Sequence, residues 1–347
     1  MNPYQCLDEK SFWKLSVAAK NKFDISDLWQ PKFKISRRDK VSTYGSCFAQ
    51  HIGNALRSRD FNWFISEQAP CILSKENSKK FNYGVFSART GNIYTTSLLK
   101  QWVKWSLGVE DVPLEIWEKD SRFFDPFRPN IEPNGFESKE ELLLSRDMCL
   151  GAFKRSITEA KVFVFTLGLT ESWFNKAGYE YSLCPGTVAG EFDESVHFFK
   201  NQNYKDVLDS LTESIKIMRG INKNLKFILT VSPVPLVATN SGKHVLLATM
   251  HSKSVLRAVA AHLSEVRSYV DYFPSYEIIN SPVFEGTFFE PNKRGVNGYG
   301  VNFVMDEFFN CLMKKYPQLF EKNFHKRTTN LEDLICEEEL LEAFGAS

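Results

Sequence analysis

The chain has 347 residues, 43% of them apolar, with 43 Lys and Arg against 42 Asp and Glu and a formal charge of +1. That is enough apolar material for one large α/β domain or a domain and a half. The balanced charge leaves no electrostatic footprint for nucleic acid or an anionic membrane, and no run approaches the ~18 apolar residues of a bilayer span.

The N-terminal stretch carries Asp8, Glu9, Lys10 and Lys14 where a secretory signal would have an apolar core. Residues 1–39 read as an arm, with Trp13, Leu15, Val17 and Phe23 as its docking residues. Seven scattered cysteines with no Cys-x-x-Cys pair argue against a disulfide framework or zinc site and for a reducing, cytoplasmic setting.

A domain over 40–316 is expected, with loop insertions at 66–96, 109–137 and 174–201, followed by a charged, peripheral tail over 317–347. A first strand at about 40–46 runs through Gly45-Ser46-Cys47 into a helix over about 48–59, and 61–65 reads as a second short strand. The section from 66 to 96 is irregular, and Thr95 or Thr96 caps a helix over 97–107. Residues 109–137 read as a surface loop, and Ser138-Lys139-Glu140-Glu141 as the cap of a long helix.

Val162-Phe163-Val164-Phe165-Thr166-Leu167 is a short apolar run of the kind buried on both faces of a parallel sheet. A hairpin and loop are expected at 174–201, a helix at 203–219, and a strand at 225–231 ending in Ser232-Pro233-Val234-Pro235. A loop or short helix at 236–250 precedes a helix at 252–267, a last strand at 269–273 and a terminal helix at 298–315. This order predicts a three-layer α/β/α sandwich around a mainly parallel sheet. Polar segments at 45–47, 168–172, 232–235 and 274–277 each follow a strand, so they converge on one sheet edge, where ligands bind.

Cys47 at a helix start would have a lowered thiol pKa and act as an acyl acceptor. Ser46 is either the nucleophile or a helix cap. For a base, His51 lies four residues after Cys47 and shares its helix face. His251 precedes the 252–267 helix, and Lys253 serves as base or anion contact if desolvated. Glu171 and Thr170, directly after a buried strand, are placed to polarise or position substrate, with Ser232 at the next strand end. Arg89 and Asn92 would hydrogen-bond a sugar or carboxylate. His262 reads as a core histidine, and His197 as a surface or substrate-loop residue. His and Cys spacing gives no metal site, and neither Gly-x-Gly-x-x-Gly nor a P-loop supports a nucleotide cofactor.

Gly45-Ser46-Cys47-Phe48-Ala49 resembles the signature of the GSCFA domain family. So do Phe165-Thr166-Leu167-Gly168-Leu169-Thr170-Glu171-Ser172-Trp173, Thr230-Val231-Ser232-Pro233-Val234-Pro235, Ser252-Lys253-Ser254-Val255-Leu256-Arg257 and Tyr272-Phe273-Pro274-Ser275-Tyr276-Glu277. That family is similar to the SGNH (GDSL-type) hydrolases, a flavodoxin-like α/β/α fold of acyl esterases and carbohydrate O-acetyl hydrolases or transferases. The resemblance implies a carbohydrate or small-molecule acyl substrate, polysaccharide biosynthesis as a setting, and an acyl-thioester donor if the protein is a thiol-dependent transferase.

Carried over, the Gly-Asp-Ser block lies on Gly45-Ser46-Cys47, which puts Cys47 in the nucleophile position. The Gly-x-Asn-Asp block lies on Gly168-Leu169-Thr170-Glu171, with Thr170 replacing the oxyanion-hole Asn, and the glycine block falls on Gly84 or Gly91. The last block, Asp-x-x-His, is where the chain departs: residues 288–301 contain no histidine. A non-catalytic protein that keeps the cleft to bind a glycan or an acyl carrier is therefore the rival expectation.

Overall fold

The computed structural model describes residues 1–319 and 334–345. In chain order its regular elements begin with β1 (Val41–Gly45), α1 (Phe48–Ser58), α2 (Lys75–Lys80), α3 (Thr96–Ser106), β2 (Trp117–Lys119), β3 (Arg122–Phe124) and α4 (Lys139–Thr158). Next come β4 (Val162–Leu167), β5 (Glu171–Asn175), β6 (Glu180–Tyr181), β7 (His197–Asn201), α5 (Tyr204–Ile221) and β8 (Lys226–Val231). The last are α6 (Val245–Val266), β9 (Val270–Tyr272), α7 (Ser275–Asn280) and α8 (Gly298–Lys315), followed by a 3-10 helix, Glu337–Phe344.

The central sheet has the order β1-β4-β8-β9, and every pairing is parallel. Side chains alternate across it as the pleat requires. Phe163, Phe165, Leu167, Phe227, Leu229 and Val231 face one core, packed by α3, α4, α5 and α6. Val162, Val164 and Ile228 face the other, packed by α1, α7 and α8. The chain is thus a mixed α/β protein with helices on both faces of a parallel sheet. Both faces are covered, so the strands read as near-continuous apolar runs.

Several local expectations change. The segment at 61–65 forms only a parallel bridge, Val41 with Trp63, on the outer side of β1. Residues 109–137 are not a surface loop: they hold the β2–β3 hairpin and a buried ion cluster, in which Arg128 Nε lies 2.8 Å and Arg146 Nη2 3.0 Å from the Asp125 carboxylate. The insertion at 174–201 completes an antiparallel sheet, β6-β5-β7, rather than a simple hairpin. Helix α6 is continuous from Val245, so Ser252 and Lys253 lie inside it instead of at its start.

The arm docks through Ile25, Trp29, Phe33 and Ile35, with Trp29 stacked on Phe308 at 4.8 Å between ring centres, whereas Trp13 is exposed. His262 faces solvent, contrary to the core reading. Among the described residues no helix is long and apolar enough to cross a membrane.

Candidate functional site

With the Trp63 bridge outside β1 and β4 on its other side, the chain leaves β1 in both directions across the sheet. The C-terminal ends of β1 and β4 therefore form the switch point at which α/β sheets open a crevice. Gly45 ends β1 with φ at 130°, and a Cβ there would lie 2.2 Å from the Thr166 carbonyl oxygen on β4. Only glycine fits. Ser46 N–H then donates to that same carbonyl at 3.0 Å, and α1 starts two residues later. Just past β4, a Cβ at Gly168 would lie 3.0 Å from the Tyr94 ring and 3.2 Å from Ser46 Cβ, so this glycine gives the turn its room.

The result is a small cavity of about 10 Å³ lined by Ser46, Cys47, Tyr94, Gly168, Ser232 and Lys253, among others. Six separated stretches of sequence, at 46–47, 94, 168–169, 232–236, 253 and 338, meet there. The Ser46 hydroxyl is buried and has no hydrogen-bond partner among the described residues. Lys253 is 2% exposed and donates to the Gly168 carbonyl at 2.6 Å. Burial pushes its ammonium down to about 8, with the Glu338 carboxylate opposing the shift.

The acidic end of the chain is not peripheral: residues 334–345 lie across the cavity. Gln50 clamps Ile335 through both its backbone groups, at 2.7 and 3.1 Å. Asn92 N–H donates to Glu337 at 3.2 Å, Val237 N–H donates to Glu338 at 2.8 Å, and Glu338 N–H donates to the Tyr94 hydroxyl at 3.1 Å. Cys336 Sγ lies 3.9 Å from that hydroxyl and 3.8 Å from Arg294 Nη2. The hydrogen bond to Cys336, and then burial, push the Cys47 thiol well up, while the same bond draws the Cys336 thiol down. The lowered Cys47 pKa expected from a helix start is thus reversed in this arrangement.

A second, larger cavity of about 560 Å³ adjoins the first, sharing Tyr94, Leu169, Leu236 and Glu338 with it. Its walls come from the β6-β5-β7 sheet, the loops at 182–192 and 236–240, and Leu341 and Phe344 of the 3-10 helix. Glu171, Glu180 and Glu338 line it, and among the described residues no basic side chain does.

The sequence candidates therefore divide. Ser46, Cys47, Gly168, Ser232 and Lys253 are brought together, with Gly45 supporting them. Glu171 belongs to the larger cavity, its carboxylate accepting from Asn240 N–H at 3.2 Å. Thr170 is occupied: its hydroxyl donates to Asn201 at 2.7 Å and its N–H to the Ser252 hydroxyl at 3.0 Å. Arg89 is held by Phe81, Ile131 and Glu132, and Asn92 by the C-terminal segment. Gly84 lines a separate surface groove. His51 is buried against Phe48, with burial pushing its imidazole down to about 4, and lines neither cavity; His251 is exposed. His197 is a partly structural residue whose Nδ1 accepts from Asp193 N–H. His325 lies outside the described residues.

Sequence reasoning missed Tyr94, Arg294, Cys336 and Glu338. Their only prior signal was a cysteine within an acidic run, which carries no hint of where the run docks. Among the described residues no group of His, Cys, Asp or Glu is placed to hold a metal.

These features define a parallel α/β protein with a glycine-built crevice at its topological switch point. The chain belongs to the GSCFA family, which it matches over residues 40–308. No curated protein and no solved structure matches it.

Proposed function

We propose that the protein is an SGNH-like acyl esterase or O-acyltransferase acting on a carbohydrate-linked acyl ester, with Cys47 as nucleophile and Lys253 as its general base. The observation that carries this reading is the buried Lys253, its ammonium pushed down to about 8, in the same cavity as Ser46 and Cys47. A general base works best with a pKa near the operating pH, and lysine reaches that range only when desolvated. The switch-point position of Gly45-Ser46-Cys47 and the family match support it further.

In the proposed reaction Lys253 takes the Cys47 thiol proton and the sulfur attacks the acyl carbonyl carbon. The Cys47 and Phe48 amides at the start of α1 stabilise the oxyanion, since Ala49 and Gln50 N–H already donate to the Ser46 and Cys47 carbonyls at 2.9 and 3.1 Å. Collapse breaks the C–O bond, and the Lys253 ammonium returns its proton to the leaving alkoxide. Water or a sugar hydroxyl, deprotonated by Lys253, then attacks the thioester and releases the Cys47 sulfur. Ser46, buried and unpartnered, is the alternative nucleophile. A thioester donor would load Cys47 by the same steps with a thiolate leaving.

The rival reading is a catalytically inactive glycan- or acyl-carrier-binding protein. The histidine missing from 288–301 and the small size of this cavity, about 10 Å³, favour it. A screen of acyl esters and acyl thioesters with wild type, Cys47→Ala, Ser46→Ala and Lys253→Met separates the two. General-base loss should lower the Lys253→Met rate by about 10²–10⁴-fold, and Cys47→Ala should be at least as impaired. Equal activity in all four proteins would sink both nucleophile assignments, and an inactive wild type on both substrate classes favours the binder.

A further inference from the structure

The larger cavity has a chemistry of its own. About 560 Å³ is the size of a site for a drug-sized ligand. Its apolar walls are Leu98, Trp173, Leu183, Phe192, Phe199 and Leu236. Trp173 sits between two of these, with ring centres 5.2 Å from Phe192 and 5.4 Å from Phe199.

Its polar groups indicate what it rejects. Among the described residues the lining has three carboxylates and no Lys, Arg or His, which disfavours an anionic ligand. Nor do those carboxylates call for a cation, because each is already held by the protein. Glu180 accepts from Thr95 and Ser97, and Glu171 from Thr239 and Asn240 N–H. Glu338 accepts from Val237 N–H and lies 3.6 Å from Arg294. An uncharged, elongated apolar ligand fits both facts. Where it would lead is fixed by the shared wall: Tyr94, Leu169 and Leu236 border both this cavity and the one that holds Cys47.

We propose that the larger cavity binds the apolar chain of a neutral acyl ester or thioester, with its carbonyl end toward Tyr94 and Cys47 and with Leu341 and Phe344 of the C-terminal 3-10 helix closing over the chain. The carbonyl's orientation rests on the acyl-transfer reading; binding of the chain does not. This assigns a chain longer than acetyl to the substrate, since an acetyl group would leave the apolar walls unused.

The test is a binding series on the full-length protein with non-hydrolysable probes: N-methyl amides of straight-chain acids from butanoic to decanoic, followed by Trp fluorescence and calorimetry. The dissociation constant should fall about fourfold per added methylene, equivalent to ~0.8 kcal/mol per buried CH₂. Cys47→Ala should leave this series unchanged. Ala238→Trp, which fills the cavity from an exposed position in its wall, should weaken the longest probe at least tenfold. Phe192→Ala, which removes a half-exposed wall residue, should weaken it severalfold. Two variants keep the result readable if one fails to fold. Affinity independent of chain length, indifference to both variants, or tighter binding of the matched alkylammonium or carboxylate overturns the assignment. Chain-length-dependent binding by a protein inactive on every ester leaves the cavity assignment standing and removes the acyl-transfer reading. Turnover of acetyl esters without chain-length-dependent binding does the reverse.

Discussion

Replacing Lys253 with Met should uncouple stability from function in a way that a merely structural lysine would not. The folded protein lowers this ammonium from 10.5 to about 8 through burial. At 1.36 kcal/mol per pH unit, the charged form costs the fold about 3 kcal/mol. The sign follows from proton counting. Below pH 8 both folded and unfolded chains hold the proton, so the full cost is present. Between about 8 and 10.5 the unfolded chain holds it and the folded chain does not, so stability rises with pH through that window. Met keeps the stem's bulk and removes the charge, but it leaves the Gly168 carbonyl without its 2.6 Å donor, at about 1–3 kcal/mol.

The two terms nearly cancel at pH 7, so Lys253→Met should be within about 2 kcal/mol of wild type there. The assay is urea unfolding of both proteins from pH 6 to 10.5. The difference between them isolates this one group, because the other titrations are common to both. Wild type should gain about 3 kcal/mol on the variant between pH 8 and 10.5. A difference that stays flat over that range refutes the desolvated lysine, and with it the general base.

The nucleophile turn should tolerate no side chain at Gly45: Gly45→Ala meets the Thr166 carbonyl at 2.2 Å and keeps a positive φ, so a loss on the order of 4 kcal/mol is expected in thermal unfolding. A Tm within experimental error of wild type would contradict this. Alkylation mapped by mass spectrometry at pH 7.5 should label Cys6 and Cys71, which are exposed, well before Cys47, which is buried with its thiol pushed up. Leu341→Asp, which disfavours docking of the 3-10 helix, should speed Cys47 labelling at least tenfold, and equal rates at Cys47 and Cys71 in wild type would count against the covered site. Burial raises the Glu180 carboxyl to about 7 from 4.5, so the folded chain holds the extra proton in that window and loses up to about 3 kcal/mol as pH rises through it. Glu180→Gln should remove that slope, as pH-dependent unfolding from pH 4 to 8 will register.

What was legible in the sequence was the local periodicity. The apolar run at 162–167 and the strand–glycine–helix turn at 41–58 each specify their element through backbone sterics and pleat alternation, and both appear as expected. From these and their polar ends followed the parallel sheet and the meeting of Cys47, Gly168 and Ser232 at its edge; Lys253, read as a base only if desolvated, joins them from inside α6. Less legible was anything decided by contacts distant in sequence. Residues 109–137 look polar and turn-rich, yet Asp125 is buried because Arg128 and Arg146 neutralise it, and Arg146 comes from another element. His51 has the spacing of a partner on the same helix face as Cys47, but it is buried against Phe48 and lines neither cavity. Glu337 and Glu338 read as solvated charges, yet both are buried: Asn92 donates to Glu337, and Val237 N–H, Arg294 and the Lys253 ammonium offset the burial of Glu338.

The docked C-terminal segment also explains why the two proposed reacting groups carry opposed shifts. Cys47 holds its proton more tightly than an ordinary thiol, first because it hydrogen-bonds to Cys336 and then because it is buried, while burial makes Lys253 hold its proton less tightly than an ordinary ammonium. With both in place, the thiol keeps its proton and the site rests. Undocking residues 334–345 removes Cys336 and admits water, which takes away both causes of the raised thiol and part of the cause of the lowered lysine. The thiol pKa falls, while at Lys253 the gain in hydration is opposed by the loss of the Glu338 carboxylate, so the change that undocking makes falls chiefly on Cys47. On the acyl-transfer reading, activation is then this lowering of the thiol rather than the arrival of a histidine. It sets a concrete requirement on the Leu341→Asp labelling experiment: the faster Cys47 alkylation should come with a lower apparent thiol pKa, not only with better access. If the rate rises while its pH midpoint stays where wild type has it, the segment screens the site sterically and does not control the proton.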